Sequence, residues 1–306
     1  MRVVIVGYGM AGARLAGELR ARDGDLKITI LGSERHRAYN RILLSSVLAG
    51  KMSEPDVALA EVAGHGLDVR PGVTASAIDR GARTVTTADG DIIEYDHLVL
   101  ATGSRAIIPP LEGLNPASAR SERSGSARVG REGSWSARVG RGGARIFAGR
   151  AGMRAAAKRS PAVASKDDSA LPDRVAVFRT LDDCRRILRT ADGARTALVL
   201  GGGLLGLEAA RGLAGRGLEV QVLHAVGHLM ERQLDNGASA VLVRTLAGLG
   251  IAAHLDAQAV SVAADATGVT LTSADGRDWR ADLLVVACGV RPETSLAEAA
   301  GLAVER

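Results

Sequence analysis

TALVLGGGLLGLE, residues Thr196 to Glu208, runs from a short aliphatic stretch (Ala197 to Leu200) into Gly201, Gly203 and Gly206, and then into helix formers. The spacing G-x-G-x-x-G, placed after a strand and at the opening of a helix, is that of a dinucleotide-binding βαβ unit. The first glycine makes the tight turn, the second lets backbone approach a pyrophosphate, and the third lets helix and strand pack closely. The helix aims its unpaired N–H groups and positive dipole end at the phosphates, so Gly201, Gly203, Leu204, Leu205 and Gly206 are candidate contacts. One such match is weak, because glycine-rich strand–helix turns also occur without ligands. RVVIVGYGMAG, residues Arg2 to Gly12, repeats the pattern with Gly7, Gly9 and Gly12 and places Met10 and Ala11 at the helix start. Two copies in one chain suggest one protein holding two dinucleotides.

Composition bounds the rest. The 306 residues suffice for two cores, and the repeated motif makes the expected fold α/β with two Rossmann-like dinucleotide-binding domains. Aromatic residues are only 2% of the chain, so both cores must be aliphatic. No apolar run approaches the roughly 18 residues of a membrane span, and the N-terminus reads as a strand rather than a signal peptide. Two cysteines, Cys184 and Cys288, far apart and in no C-x-x-C, fit a reducing cytoplasm and no disulfide framework or cysteine metal site. The net charge of +5 is unevenly spread. Residues 115–170 hold ten Arg and two Lys against four acids, so this stretch carries +8 and the remainder −3.

Along the chain, residues 2–6 read as a buried parallel strand, 11–22 as its helix and 27–31 as a second strand. An acid near the end of that strand commonly accepts from ribose hydroxyls about 20 residues past the glycines; Glu34 is the candidate, with an ordinary loop glutamate as the alternative. YNRILLSSVLAG (Tyr39 to Gly50) reads as a loop entering a short helix, and Arg41 could reach a flavin pyrophosphate. Residues 67–101 alternate as short antiparallel strands, with a turn at 88–90, and lead into the buried strand and small-residue turn HLVLATG. In the second half, EVQVL (219–223) is followed by His224. An acid there favours NAD and a nearby arginine accommodates NADP. His224 is neither, and Arg232 is the nearest cation in sequence. The choice between NADH and NADPH stays open, leaning to NADH. Residues 235–249 read as a helix with the apolar stripe Val241, Leu242, Leu246, Leu249, and strands are expected at 251–255, 259–263, 268–272 and 283–288.

The stretches VGYGMAG, AYNRILLSSVLAG, EYDHLVLATGS, FRTLDD, VLGGGLLGLEAA, HLMERQLD and CGVRPE together resemble the flavoprotein portion of the NAD(P)H-dependent nitrite reductase large subunit. That family belongs to the FAD-dependent pyridine nucleotide reductases, with rubredoxin and ferredoxin reductases as close relatives. The resemblance covers about 1–114 and 173–306. It implies FAD on the first glycine turn and NADH or NADPH on the second, with Ala101, Thr102 and Gly103 passing close to the flavin. It places Glu208 toward the nicotinamide, and Gly289 in the second domain's counterpart of the ATG turn. Wider relatives carry a lysine near the flavin ring where this chain has Ser46, as expected of the nitrite reductase branch. With no cysteine between Met1 and Leu181, the chain lacks the flavin-side cysteine of disulfide reductases and of certain peroxidases. Cys184 reads as a packing residue, and Cys288 as a small hydrophobe at a buried strand end.

The expected domains are an FAD-binding part (1–114), an insertion (115–172), an NAD(P)-binding domain (173–290) and the start of a return to the flavin domain (291–306). The insertion is rich in Ser, Arg, Gly and Ala and carries a near-repeat, SARVGREG then SARVGRGG. It reads as a disordered, solvated linker or a frame artefact. A nucleic-acid tether is the functional alternative, poorly supplied with aromatic residues for base stacking. The sequence stops at Arg306, ahead of the aspartate-bearing strand and interface domain that the resemblance places next. The flavin domain is therefore expected to be incomplete at its C-terminus, and a homodimer is expected only in a full-length form. Two isolated cysteines cannot ligate an iron–sulfur cluster, so no metal site is expected and the chain alone should not reduce nitrite. The expected function is electron entry: hydride from NAD(P)H to FAD, then electrons to a siroheme and iron–sulfur domain or a small iron–sulfur protein. No general acid or base is named, and the cofactors carry the chemistry. The alternatives are a truncated, non-catalytic NAD(P)H-binding fragment or a rubredoxin- or ferredoxin-reductase-like flavoprotein.

Overall fold

A computed structural model of the chain describes residues 1–114 and 171–305. The first part runs through β1 (Arg2–Val6), α1 (Met10–Arg22), β2 (Lys27–Gly32), α2 (Leu44–Leu48), β3 (Leu67–Pro71), β4 (Ala75–Asp79), β5 (Thr84–Thr87), β6 (Ile92–Glu94), β7 (His97–Leu100) and β8 (Ser104–Ala106). The second runs through β9 (Val175–Val177), α3 (Leu181–Ala191), β10 (Thr196–Leu200), α4 (Leu204–Ala214), β11 (Glu219–Leu223), α5 (Asn236–Gly248), β12 (Ile251–His254), β13 (Ala259–Asp265), β14 (Gly268–Ser273), β15 (Asp278–Ala281), β16 (Leu283–Val286), β17 (Val290–Pro292) and α6 (Ser295–Ala299).

Each half is a parallel sheet covered on both faces, which is why its central strands are apolar without alternation. The first sheet has the order β3-β2-β1-β7. Val3 and Ile5 face the α1 side, packing with Ala16 and with Ile28 and Ile30 of β2. Val4 and Val6 face the antiparallel β4–β5–β6 meander, packing with Val85 and Tyr95. The second sheet, β12-β11-β10-β16-β9, repeats the plan. Ala197 and Val199 meet Ala210 and Leu213 of α4, whereas Leu198 and Leu200 meet Val269, Leu271 and Trp279 of the β13–β15 meander. The fold is the expected pair of α/β dinucleotide-binding units.

The halves are joined by shared packing and by two crossings of the chain. Leu44, Val47 and Leu48 of α2 are buried in the same core as Phe178, Ile187 and Leu213. The Arg216 guanidinium donates to the Val47 and Leu48 carbonyls. β8 pairs antiparallel with β17, Arg105 opposite Arg291. At that crossing the Thr102 hydroxyl donates to the Glu293 carbonyl at 2.6 Å, and the Glu293 N–H donates to the Gly103 carbonyl at 2.9 Å.

Several expectations need correction. β3 pairs parallel with β2 in the main sheet rather than joining the antiparallel meander. As an edge strand it is half covered, and half covering produces alternation whatever the strand direction. The stripe expected on α5 is rotated: Val241 and Leu249 are 53% and 44% exposed. Ser239 and Leu246 are buried and Leu242 and Val243 partly so, at the i, i+3, i+4, i+7 spacing of the covered face. β15 was not anticipated, and β16 ends at Val286, leaving Cys288 beyond the strand and partly exposed. Residues 115–170 of the expected insertion lie outside the described residues. Leu171, placed in that segment, is buried against Leu111 and Leu114.

α3 opens with a full capping box. The Thr180 hydroxyl accepts from the Asp183 N–H, and the Asp183 carboxylate accepts from the Thr180 N–H. Thr180→Ala removes one of these partners and is expected to lower stability by about 1–2 kcal/mol, read as a shifted midpoint with unchanged slope in urea denaturation.

Candidate dinucleotide sites

The two glycine turns have the same geometry. Gly7 and Gly201 both sit at φ +120°. A Cβ on Gly7 would stand 2.0 Å from the Ala101 carbonyl oxygen, and one on Gly201 2.4 Å from that of Ala287. These carbonyls belong to the chain leaving β7 and β16, so the first glycine is where two strand ends touch. Gly12 and Gly206 face the same limit across helix and strand: an added Cβ would lie 1.9 Å and 2.0 Å from the Gly7 and Gly201 carbonyl oxygens. Gly9 and Gly203, by contrast, meet nothing within 4 Å. Both are helix N-caps without a side-chain cap, whereas α3 and α5 are capped by Thr180 and Asp235. An open glycine ahead of uncapped first-turn N–H groups suits an anionic pyrophosphate, and on this test both turns fit a dinucleotide. Met10 and Leu204, first residues of α1 and α4, are exposed, as is Ala11; Leu205 is half-buried.

Beyond β2 the structure brings together Glu34 and Arg41. Arg41 donates to Glu34 Oε1 at 2.5 Å and to the Arg179 carbonyl at 2.8 Å. The Tyr39 hydroxyl donates to Glu34 Oε2 at 2.6 Å and accepts from the Leu181 N–H at 3.0 Å. Burial pushes the Tyr39 phenol well above its ordinary value, so it stays a donor. The Arg179 guanidinium donates to both the carbonyl oxygen and the hydroxyl of Ser104. Burial first, and Arg41 second, lower the Arg179 guanidinium. Tyr39 and Arg179 carry this network, and sequence reading assigned them no role. The signal was available, since both lie in the quoted stretches AYNRILLSSVLAG and FRTLDD.

The remaining candidates divide between the halves. Ser46 lies half-buried in α2. The Thr102 hydroxyl spends its proton on the Glu293 carbonyl and keeps only its acceptor capacity. Glu208 is half-buried on α4, and Gly289, at φ +100°, accepts from the Ile107 N–H. His224, 8% exposed, lies against the second turn: its Nδ1 accepts from the Gly202 N–H at 3.1 Å. Two open clefts lie elsewhere. One, of about 510 Å³, is bordered by Arg2, Arg70, Asp91 and Glu94, whose charges pair among themselves and with Asp68 and Asp96. The other, of about 370 Å³, lies between His228 and α5. No glycine of either turn lines them.

The sequence pattern of the family described as pyridine nucleotide-disulphide oxidoreductase matches residues 1–142 and 148–306. The chain belongs to this family. It is 32% identical to the nitrite reductase [NAD(P)H] large subunit of Klebsiella oxytoca, over 99% of this chain and 26% of that protein. It is equally similar to the assimilatory nitrate reductase electron transfer subunit of Bacillus subtilis, over 100% of this chain and 33% of that protein. Among solved structures, the reductase of the covalent putidaredoxin reductase–putidaredoxin complex matches with a TM-score of 0.75 and 25% identity, over 99% of this chain and 62% of that one. A NAD-dependent persulfide reductase from A. fulgidus shares the fold, with a TM-score of 0.76 at 24% identity over 100% of this chain and 48% of that one. The chain thus spans about a quarter to a third of the length of these curated relatives, and the resemblance read from its motifs holds. No helix among the described residues is long and apolar enough to cross a membrane.

Both cysteines of this family member are free thiols. Cys184 is buried with its Sγ toward the Leu44 carbonyl, and burial pushes it up to about 11; burial does the same to Cys288. At pH 8 the thiolate fraction of each is then roughly two orders of magnitude below that of a free cysteine. Native protein is expected to react with a thiol-specific chromogen at least tenfold more slowly than denatured protein, with two equivalents titrating in denaturant. Fast labelling of one thiol in the native state contradicts this placement.

Proposed function

We propose that the chain is the electron-entry part of an NAD(P)H oxidoreductase, with FAD on the Gly7 turn and NADH or NADPH on the Gly201 turn. The observation that carries this reading is the duplicated turn, twice closed at its first and third glycines and twice open at its second. In this reading residues 1–114 form most of the flavin half and 173–290 the nicotinamide half.

When bound, the nicotinamide supplies a hydride to the flavin, which releases the electrons to an acceptor. The chain's own residues bind and orient. Gly9 and Gly203 let backbone reach the two pyrophosphates, and the first turns of α1 and α4 supply N–H donors. Glu34 takes ribose hydroxyls at the end of β2, held in place by Tyr39, and Arg41 neutralises phosphate charge beside it. Ser46 keeps its position in α2 uncharged, and Glu208 faces the nicotinamide end of the second site. Nothing in this assignment needs a proton-transferring histidine. With both thiols buried or protonated, no disulfide relay is used. The acceptor is a metal centre held elsewhere, either an iron–sulfur or siroheme domain or a small iron–sulfur protein. The names of the relatives support this, as nitrite reductase, an electron transfer subunit and the partner of putidaredoxin. The working compartment in this reading is the cytoplasm.

The test is flavin loading. Purified chain supplied with FAD and gel-filtered is expected to show a protein-bound flavin spectrum that NADH bleaches under anaerobic conditions. Gly7→Ala is expected to abolish flavin retention. Gly201→Ala is expected to leave flavin bound while raising the NADH concentration needed for bleaching at least about thirtyfold, since the added Cβ meets a backbone oxygen that cannot yield. A wild-type chain that stays colourless yet binds NADH contradicts the electron-entry reading.

A further inference from the structure

α2, the five-residue helix at the end of the segment that carries Arg41 and Ser46, is too short to hold itself. Its end leaves backbone carbonyls with no partner inside the helix. The Ser45 carbonyl accepts from the Ala49 N–H, and the Ser46 carbonyl from the N–H groups of Lys51 and Met52. The Val47 carbonyl accepts from the Gly50 N–H and, at 3.3 Å, from Arg216 Nη2. Leu48 is fully buried, and its carbonyl accepts from Arg216 Nε and from no other group among the described residues. Arg216 in turn forms no ion pair among the described residues, so its guanidinium serves this helix end alone. A cation there also suits the negative end of the helix dipole.

Arg216 belongs to the other half. It stands just beyond α4, and α4 meets α2 at a glycine: a Cβ on Gly212 would lie 3.3 Å from both the Ala49 nitrogen and Leu48 Cγ. Leu213, in the next position, is buried with Leu48 in one core. Close helix packing, not a loop, thus brings the guanidinium to α2. We infer that Arg216 is a positioning residue for the flavin: from the C-terminal end of α4 it clamps α2, and so sets Arg41 and Ser46 for the cofactor on the Gly7 turn. This rests on the reading of that turn as the flavin site. The head of Arg41 is fixed by Glu34 and by the Arg179 carbonyl, but no side chain among the described residues of the first half reaches the Val47 or Leu48 carbonyl. Without Arg216 the carbonyl of a buried residue has no partner, and α2 can relieve that only by turning its end toward water. The helix whose N-terminus lies open behind Gly203 therefore closes the site of the other dinucleotide at its far end.

The test reads the clamp and the cofactor separately, in the full chain and in Arg216→Ala, Arg216→Lys and Asp235→Ala. Asp235 caps α5 by accepting from the Ala238 N–H, so its loss destabilises the fold without touching α2. Limited trypsin digestion of flavin-free protein, followed by mass spectrometry, is expected to cut after Lys51 at least about fivefold faster in Arg216→Ala than in wild type or Asp235→Ala. FAD affinity, titrated by flavin fluorescence, is expected to fall at least about tenfold in Arg216→Ala and to stay at the wild-type value in Asp235→Ala. Arg216→Lys, whose ammonium still donates to the carbonyls, is expected to bind FAD within about threefold of wild type. Equal cutting after Lys51 or equal FAD affinity in wild type and Arg216→Ala, or an equal loss of affinity in Asp235→Ala, overturns the positioning role and leaves the flavin site standing. Failure of folded wild type to bind FAD overturns the flavin reading and the role with it.

Discussion

Everything in this molecule is arranged around a backbone contact that admits no side chain. At Gly7 and Gly201 the chain leaving a central strand passes against the carbonyl oxygen of the next strand's exit, Ala101 in one half and Ala287 in the other. The contact is closed by ladder-like bonds from Ala101 to Val6 and from Ala287 to Leu200. It forces the chain sharply out of the sheet, and the helix that follows must start at once. Because Gly12 and Gly206 let helix backbone sit on the turn itself, α1 and α4 lie low over their sheets. Their N-termini are left uncovered at the carboxyl ends of the strands. The ligand sites are consequences of sheet packing as much as of any polar residue.

The two halves are joined around α2. Its segment carries Arg41 toward the Glu34 network on one side and buries Leu44, Val47 and Leu48 in the second half's core on the other. The segment that carries Arg41 is therefore held by hydrophobic contacts with the neighbouring unit, and the Arg216 bonds to the Val47 and Leu48 carbonyls fix the helix end. The Arg185–Glu54 ion pair and the His36–Asp182 hydrogen bond add polar contacts along the same seam. Being partly exposed, those pairs contribute little each. The apolar burial contributes more.

The sequence revealed the glycine turns, the strands that feed them and the family, because each depends on local spacing that packing cannot override. It was less informative where the neighbour decides. β3 alternates as any half-covered strand does, so its parallel partner could not be read from its residues. The covered face of α5 is set by how the helix lies on β11 and β12, which left Val241 and Leu249 in solvent. Tyr39 and Arg179 stood in recognisable stretches, yet their roles come from partners about 140 residues away in the chain.

The two halves, alike in backbone, furnish the ends of β2 and β11 in different ways. In the first, Glu34 already has two partners, the Tyr39 hydroxyl and the Arg41 guanidinium. A ligand there must share or displace a satisfied ion pair, and the site is held in shape without it. In the second, His224 Nδ1 accepts from the Gly202 N–H and its Nε2 lies 3.2 Å from Glu231 Oε2, so a side chain braces the turn from within the chain. A preformed, self-satisfied site suits a cofactor that stays, because its order does not depend on occupancy. The difference between the halves lies in these side chains rather than in the shared backbone turn.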